Sequence, residues 1–352
     1  MNRIIKVAII LVAVGLIALV LLPRWAPVQA VSWTPPPNAG LTGAFAPNQA
    51  LSALTEIPVG FAPEHVACDN NGTLFTSLDG GAVLKSNGAG GWTALGNTNG
   101  RPLGLRADQQ GGIWIADSMA GLLHMDRTGQ ISVLATDHAG QPLRFVDDLD
   151  VDEQGGIWFS DASERFDYMQ VALDFFEGSR TGRLLRYDPE TGQTEVMMDG
   201  LFFANGVTLG PNEDYVLVNE TGMGRVHRLW LKGDKAGQRD IFVDELPGTP
   251  DNIRFDGVDT FWIAMPSLRA SLDSLASLPR LRAVLSYLPI AALEAAAQPA
   301  SFVIGVNLDG EVVHNLQDQD NPFHYITGAT PCGDALYLGS LRTEAIGVLS
   351  LP

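Results

Sequence analysis

Asp147-Asp-Leu-Asp-Val-Asp-Glu-Gln-Gly-Gly-Ile-Trp158 decides how this chain is read. An apolar-alternating stretch runs into Asp-x-x-Gly, and a second alternating stretch leaves it. This is the pattern of two antiparallel strands joined by a tight turn, in which Asp fixes the backbone and Gly takes the left-handed conformation. The pattern recurs as Glu64-His-Val-Ala-Cys-Asp-Asn-Asn-Gly-Thr-Leu-Phe75, Leu103-Gly-Leu-Arg-Ala-Asp-Gln-Gln-Gly-Gly-Ile-Trp114, Asn205-Gly-Val-Thr-Leu-Gly-Pro-Asn-Glu-Asp-Tyr-Val216 and Asp251-Asn-Ile-Arg-Phe-Asp-Gly-Val-Asp-Thr-Phe-Trp262. A sixth, degenerate copy runs from near Thr327 into Ala335-Leu-Tyr-Leu-Gly-Ser340. The copies start 39, 44, 58 and 46 residues apart along the first five. Further strand-like runs follow each pair, as in Gly182–Asp188 and Gly224–Trp230. Four strands per unit at such a period predict an all-β chain, a six-bladed β-propeller. A strand within 51–61 is expected to join the last blade and close the ring.

The 352 residues are too many for one simple core but suit a closed ring of repeats. A hydrophobic fraction of 46% with 18% charged residues is that of a folding chain. Acids outnumber bases 40 to 22, a formal charge of -18, so the surface repels phosphate backbones and nucleic acid is excluded as a partner. HExxH, GxSxG and P-loop patterns do not occur, which removes the common zinc-protease, α/β-hydrolase and nucleotide-binding readings. Cys68 and Cys332 cannot make a disulfide framework. A single bridge between them is conceivable, since the first and last repeats abut on closure, and is disfavoured because equivalent strands in neighbouring blades usually lie too far apart.

Arg3 and Lys6 precede an uncharged, apolar run over 7–23, with Arg24 and Trp25 beyond it. Its length falls between a signal-peptide core and a membrane-spanning helix. Residues 1–25 are read as an N-terminal transmembrane helix or signal peptide, the uncleaved anchor being preferred, with everything beyond it on the non-cytoplasmic side. Residues 26–50 read as a linker and 51–352 as the propeller. Within it, 268–297 has apolar residues at helical spacing, including Leu272, Leu275, Leu278, Leu281, Leu285 and Leu288, and predicts a helical insertion in the fifth blade that caps the propeller face.

The residue that opens each copy precedes an inner strand, and the inner strands of a propeller converge on its axis. Those positions are Glu64, Leu103, Asp147, Asn205, Asp251 with Asn252 beside it, and Thr327. Oxygen donors from four blades therefore meet, and carboxylates brought together repel one another unless a cation joins them. Glu64, Asp147, Asn205, Asp251 and Asn252 are accordingly read as ligands of Ca2+.

Phe203-Ala-Asn-Gly206, Pro250-Asp-Asn-Ile253, Asp147-Asp-Leu-Asp150 and Trp230-Leu-Lys-Gly-Asp-Lys-Ala-Gly237 resemble the strictosidine synthase-like family, including its adipocyte plasma membrane-associated branch. The wider superfamily takes in the paraoxonases and the gluconolactonases. The resemblance runs from about Ile57 to Pro352 and implies a six-bladed propeller with an axial calcium at the positions just named. It also implies hydrolysis of a small-molecule ester or lactone, the metal polarising the carbonyl. Three departures follow. Thr327 stands where strictosidine synthase has a catalytic Glu, which disfavours condensation chemistry. Leu103 replaces a paraoxonase His, and His65 stands where an Asp is expected. Leu103, Thr327 and His65 are read as substrate-contacting. These departures leave the general base unassigned; Asp251 is the candidate, because gluconolactonases are similar in using an axial Asp near the metal, and Asp148 and Asp117 come after it. The competing reading is a non-catalytic propeller that binds a partner or ligand on its face, with calcium serving only to brace the blades, since fold alone does not decide function. In either case a monomer is expected.

Overall fold

The computed structural model describes residues 5, 22–88 and 91–351. The Asp-x-x-Gly turns form as the repeat predicts. In the third copy Asp152 Oδ1 accepts the N–H groups of Gln154 and Gly156 at 3.1 and 2.6 Å, and Gly155 sits at φ 85°, a conformation that a residue with a Cβ rarely adopts. Each turn joins the inner strand of a blade to its second strand. The inner strands are Val66–Cys68, Pro102–Ala107, Val146–Val151, Ala204–Leu209, Ile253–Phe255 and Ile326–Cys332. Each belongs to a four-stranded antiparallel sheet, giving six blades. Thr55–Pro58 pairs antiparallel with Ala345–Ser350, so the outermost strand of the last blade comes from the start of the domain and the ring closes as expected.

The core lies between blades. Trp158, Leu184, Met198 and Leu201 of the third blade pack with Val207, Val216 and Val218 of the fourth, and Trp262 packs with Ile326, Leu336 and Leu338 across the fifth and sixth. Trp158 and Trp262 are buried at the seams, the role their recurrence in the repeat suggests.

Connections between second and third strands lie on the face where inner strands begin, so an insertion there covers the mouth of the axial channel. The fifth blade carries the expected one, with helices Ala270–Ser274, Pro279–Leu285 and Ile290–Glu294. The third blade carries another, helix Val171–Glu177, that the sequence reading missed. The 58-residue gap after the third copy was its only trace. The two insertions meet through Phe166, Ala172, Leu173, Phe176, Ala283 and Leu293. Of residues 26–50, read as linker, the first part runs along this cap, with Val28 and Trp33 buried and Trp33 edge-on to Phe202, and the stretch 45–48 bonds Asn315 and Gln317 on the outer strand of the fifth blade. Arg282 stitches the layers together, its guanidinium donating to the carbonyls of Phe176, Glu177, Val31 and Leu275 and lying over the Trp33 ring. The expected membrane helix over 7–23 falls almost wholly outside the described residues; among the described residues no helix is long and apolar enough to cross a membrane.

Cys68 and Cys332 are bonded, which corrects the expectation against a bridge. Both end inner strands, and inner strands are where neighbouring blades approach most closely, leaving the two Cα atoms 6.0 Å apart. The separation that keeps neighbouring strands apart holds for the outer strands, not for these inner ends. The bridge spans 264 residues and reinforces the closure made by Thr55–Pro58; restriction of the unfolded chain by so long a loop is worth about 5 kcal/mol in the chain-entropy model.

Candidate metal centre

Glu64, Asp147 and Asp251 each present a carboxylate oxygen within 4.8 Å of the other two. They arrive from the first, third and fifth blades, at the entrance to each inner strand, which is where the repeat places them. All three are buried. Burial pushes the Glu64 carboxyl up to about 7, with Arg101 opposing and Asp148 adding to the shift. Burial, then repulsion from Asp251 and Glu64, holds Asp147 well above the ordinary carboxylate range. Burial and then Glu64 do the same to Asp251.

The two asparagines complete the group. Asn205 hydrogen-bonds Asp251, and Asn252 Nδ2 donates to Glu64 Oε1 at 3.0 Å. Glu64 Oε2, Asn205 Oδ1 and Asn252 Oδ1 are buried and meet no hydrogen-bond partner. Buried oxygens left without donors cost about 1–3 kcal/mol each, more for a charged group, unless something electropositive meets them. Three such oxygens beside three crowded carboxylates fit a hard cation. The residues named from sequence as ligands are thus brought together at one place.

Tight backbone packing holds them there. A Cβ on Gly206 would lie 2.4 Å from the Asp251 carbonyl oxygen, so only glycine lets the fourth and fifth inner strands approach this closely. The Asp251 carbonyl accepts from Gly206 N–H at 3.1 Å and from the Asn219 amide. Asn219 opens an Asn-Glu-Thr triplet that resembles a glycosylation acceptor, yet it is fully buried on the channel wall and serves as a brace.

The remaining sequence candidates fall elsewhere. Leu103 faces the mouth, in an apolar cluster with Phe145, Phe203 and Met223. Thr327 is turned into the wall: its Oγ1 donates to the Glu64 carbonyl at 2.6 Å and its own carbonyl accepts from Asn252 N–H at 3.0 Å. His65 is fully buried below the ligand layer, where burial and then Arg254 hold its pKa well below the usual value, so the ring is neutral. Neither has a polar atom free for a substrate. Asp148 is engaged as well. Its Oδ1 accepts from Arg254 Nη2 at 2.5 Å, and its Oδ2 accepts from Arg254 Nη1 and Val207 N–H at 2.9 and 2.8 Å. Asp117 Oδ1 accepts the N–H groups of Arg101, Met119 and Ala120, shaping the loop before the second blade.

One residue in reach of the centre gave no sequence signal. Arg101 is buried, donates from Nε to Tyr168 Oη at 3.2 Å and from Nη1 to the Ala62 carbonyl at 3.2 Å, and keeps Nη2 without a partner. It is the strongest positive influence on Glu64.

The sequence comparisons agree with this architecture. A strictosidine synthase family model matches residues 147–234, and the N-terminal model of strictosidine synthase-like proteins matches 43–86. Strictosidine synthase-like 10 of Arabidopsis thaliana is 32% identical over 319 residues, 82% of this chain and 85% of its own length. The chain belongs to the strictosidine synthase-like family. The adipocyte plasma membrane-associated protein of Gallus gallus, another relative, is 32% identical over 352 residues, covering 92% of this chain and 83% of that protein. Among solved structures, a gluconolactonase from Xanthomonas campestris superposes with a TM-score of 0.63 at 18% identity, covering 92% of this chain and 97% of its own. A calcium-binding regucalcin from Agrobacterium tumefaciens superposes with a TM-score of 0.58 at 14% identity, covering 84% and 90%. At these identities the superpositions speak for the fold.

Proposed function

We propose that this strictosidine synthase-like protein is a calcium-dependent hydrolase of small esters or lactones. The observation that carries the reading is the axial cage: three carboxylates within 4.8 Å, together with the partnerless oxygens of Glu64, Asn205 and Asn252. Glu64, Asp147, Asn205, Asp251 and Asn252 would hold the ion. When bound, calcium supplies a Lewis acid for the substrate carbonyl and for the charge that develops on its oxygen.

The chain's own residues supply the rest. Asp251 is the carboxylate proposed to take a proton from water, since Asp148 is committed to Arg254 and Thr327 has no acid–base group. Arg101 Nη2 has a donor free to orient a substrate oxygen. Leu103, Phe145, Phe203 and Met223 form a buried apolar cluster packed under the cap, and the non-polar part of a substrate would lie against it. The apolar run over 7–23 is proposed to anchor the domain on the non-cytoplasmic side of a membrane.

The test is hydrolysis of an aryl acetate and a small lactone by cation-stripped protein, with and without added calcium, for the wild type and for Asn205→Ala. Turnover that needs calcium and falls by about 10-fold or more in the variant is expected if an interaction worth at least 1.4 kcal/mol is lost. Activity indifferent to both contradicts the reading. The second reading, a calcium-braced binding propeller, draws on one observation: Asp251, the candidate for proton transfer, stands in the same carboxylate cluster that would hold the ion. That reading expects calcium to raise the melting temperature with no turnover.

A further inference from the structure

We infer that Arg254 is a positioning residue for the oxygen cage, a fixed guanidinium one layer below the donors that sets the spacing of the strands carrying them. The inference rests on the reading of the cage as a cation site.

Arg254 is 1% exposed and reaches across the channel to several blades. Nη1 donates to Asp148 Oδ2 at 2.9 Å, to the Val207 carbonyl at 2.9 Å and to the Ile253 carbonyl at 2.7 Å. Nη2 donates to Asp148 Oδ1 at 2.5 Å and lies 3.5 Å from His65 Nδ1. That His65 nitrogen accepts the Leu105 N–H at 3.3 Å, so the proton of the neutral ring sits on Nε2, which faces Thr330 Oγ1 at 3.4 Å. A guanidinium can approach Nδ1 because it carries no proton.

The register gives this network its meaning. His65 follows Glu64, Asp148 follows Asp147, and Arg254 is two residues beyond Asn252. Each blade that contributes a carboxylate to the cage thus contributes a side chain one to three residues further on to one polar cluster centred on Arg254. Val207, two residues after Asn205, joins through its N–H and carbonyl. The four strands that present the donors are held to one another through a single planar cation whose five N–H groups have a fixed geometry. Lysine would keep the charge and one nitrogen for Asp148, Val207 and Ile253, but it has no second branch to reach Asp148 Oδ1 and His65 Nδ1 at the same time. Outer-shell partners of this kind commonly contribute 10–100-fold to metal affinity by orienting the ligands.

The experiment measures calcium binding by calorimetry on the full chain after removal of divalent cations, comparing wild type, Arg254→Lys and Arg186→Lys. Arg186 donates from Nε and Nη2 to Asp152 at 3.0 and 2.8 Å at the far end of the third blade, so its variant removes a comparable arginine–carboxylate pair away from the cage. Arg254→Lys is expected to weaken calcium binding about 10–100-fold with its far-ultraviolet spectrum unchanged, while Arg186→Lys binds as wild type does. Should Arg254→Lys fail to fold, the pair Arg254→Gln with Asp148→Asn removes both buried charges and is expected to show the same weakening. A folded Arg254 variant with wild-type calcium affinity overturns the inference, as does weakening of equal size in Arg186→Lys. A wild-type chain that binds no calcium overturns the cage reading itself, and is distinguished by requiring no variant.

Discussion

Stripped of divalent cations, the protein loses stability as pH rises from about 4.5 to about 7, and calcium offsets part of the loss. Glu64 has an ordinary pKa of 4.5 and is pushed up to about 7 in the folded chain by burial. Below 4.5 both folded and unfolded chains carry the proton and the group is neutral with respect to folding. Above it the unfolded chain ionises first while the folded chain keeps its proton, so stability falls until the folded group also ionises near 7. At 1.36 kcal/mol per unit, Glu64 alone accounts for about 3 kcal/mol. Asp147 and Asp251 are raised as well, and act in the same direction. A cation reverses the preference by stabilising the ionised forms, so its affinity rises across the same window. At pH 7.5, calcium at 100 times its Kd stabilises by about 2.7 kcal/mol, which at roughly 2–4 °C per kcal/mol raises Tm by about 5–10 °C. At pH 5 the increment is much smaller. Melting curves of stripped protein with and without calcium at both pH values check this, and identical Tm values at pH 7.5 contradict it.

Asp251→Asn, at saturating calcium, is expected to lower kcat for the responsive ester or lactone by about 10²–10⁴-fold, the usual contribution of a positioned general base. The amide keeps an oxygen for the ion and loses the site for a proton, so calcium still raises the melting temperature of the variant. Asp148→Asn should behave differently. Its carboxylate is bound to the buried Arg254 guanidinium, and leaving that charge unpaired costs about 3–5 kcal/mol of stability. Two of the three aspartates that the sequence offers as bases, Asp251 and Asp148, are therefore separable, one by rate and the other by unfolding. An Asp251→Asn enzyme with wild-type kcat would return the proton transfer to another group.

The repeat made the ring and the ligand set legible because both obey a fixed register. Glu64, Asp147, Asn205 and Asp251 open their copies, and convergence at the axis follows from propeller geometry alone. Arg101 and Arg254 carry no such mark. An arginine one residue before Pro102 or in the middle of an inner strand looks like any other, and its role exists only when several blades close around it. Asp148 looked as available as Asp147, because sequence does not show that Arg254 comes from two blades away to occupy it. The helix at Val171–Glu177 is short and follows no long amphipathic pattern, so its stability comes from packing on the other insertion rather than from local preference. The Cys68–Cys332 bridge is hidden for the same reason, since the inner ends of blades crowd together in a way that linear spacing does not reveal.

The central claim is that one calcium ion is held on the propeller axis. Anomalous diffraction from crystals grown with calcium tests it most directly. The account predicts a single strong peak between Glu64, Asp147, Asn205, Asp251 and Asn252, with their oxygens at about 2.3–2.6 Å. Density showing only water there, with Glu64 Oε2, Asn205 Oδ1 and Asn252 Oδ1 hydrogen-bonded to it, would contradict the claim.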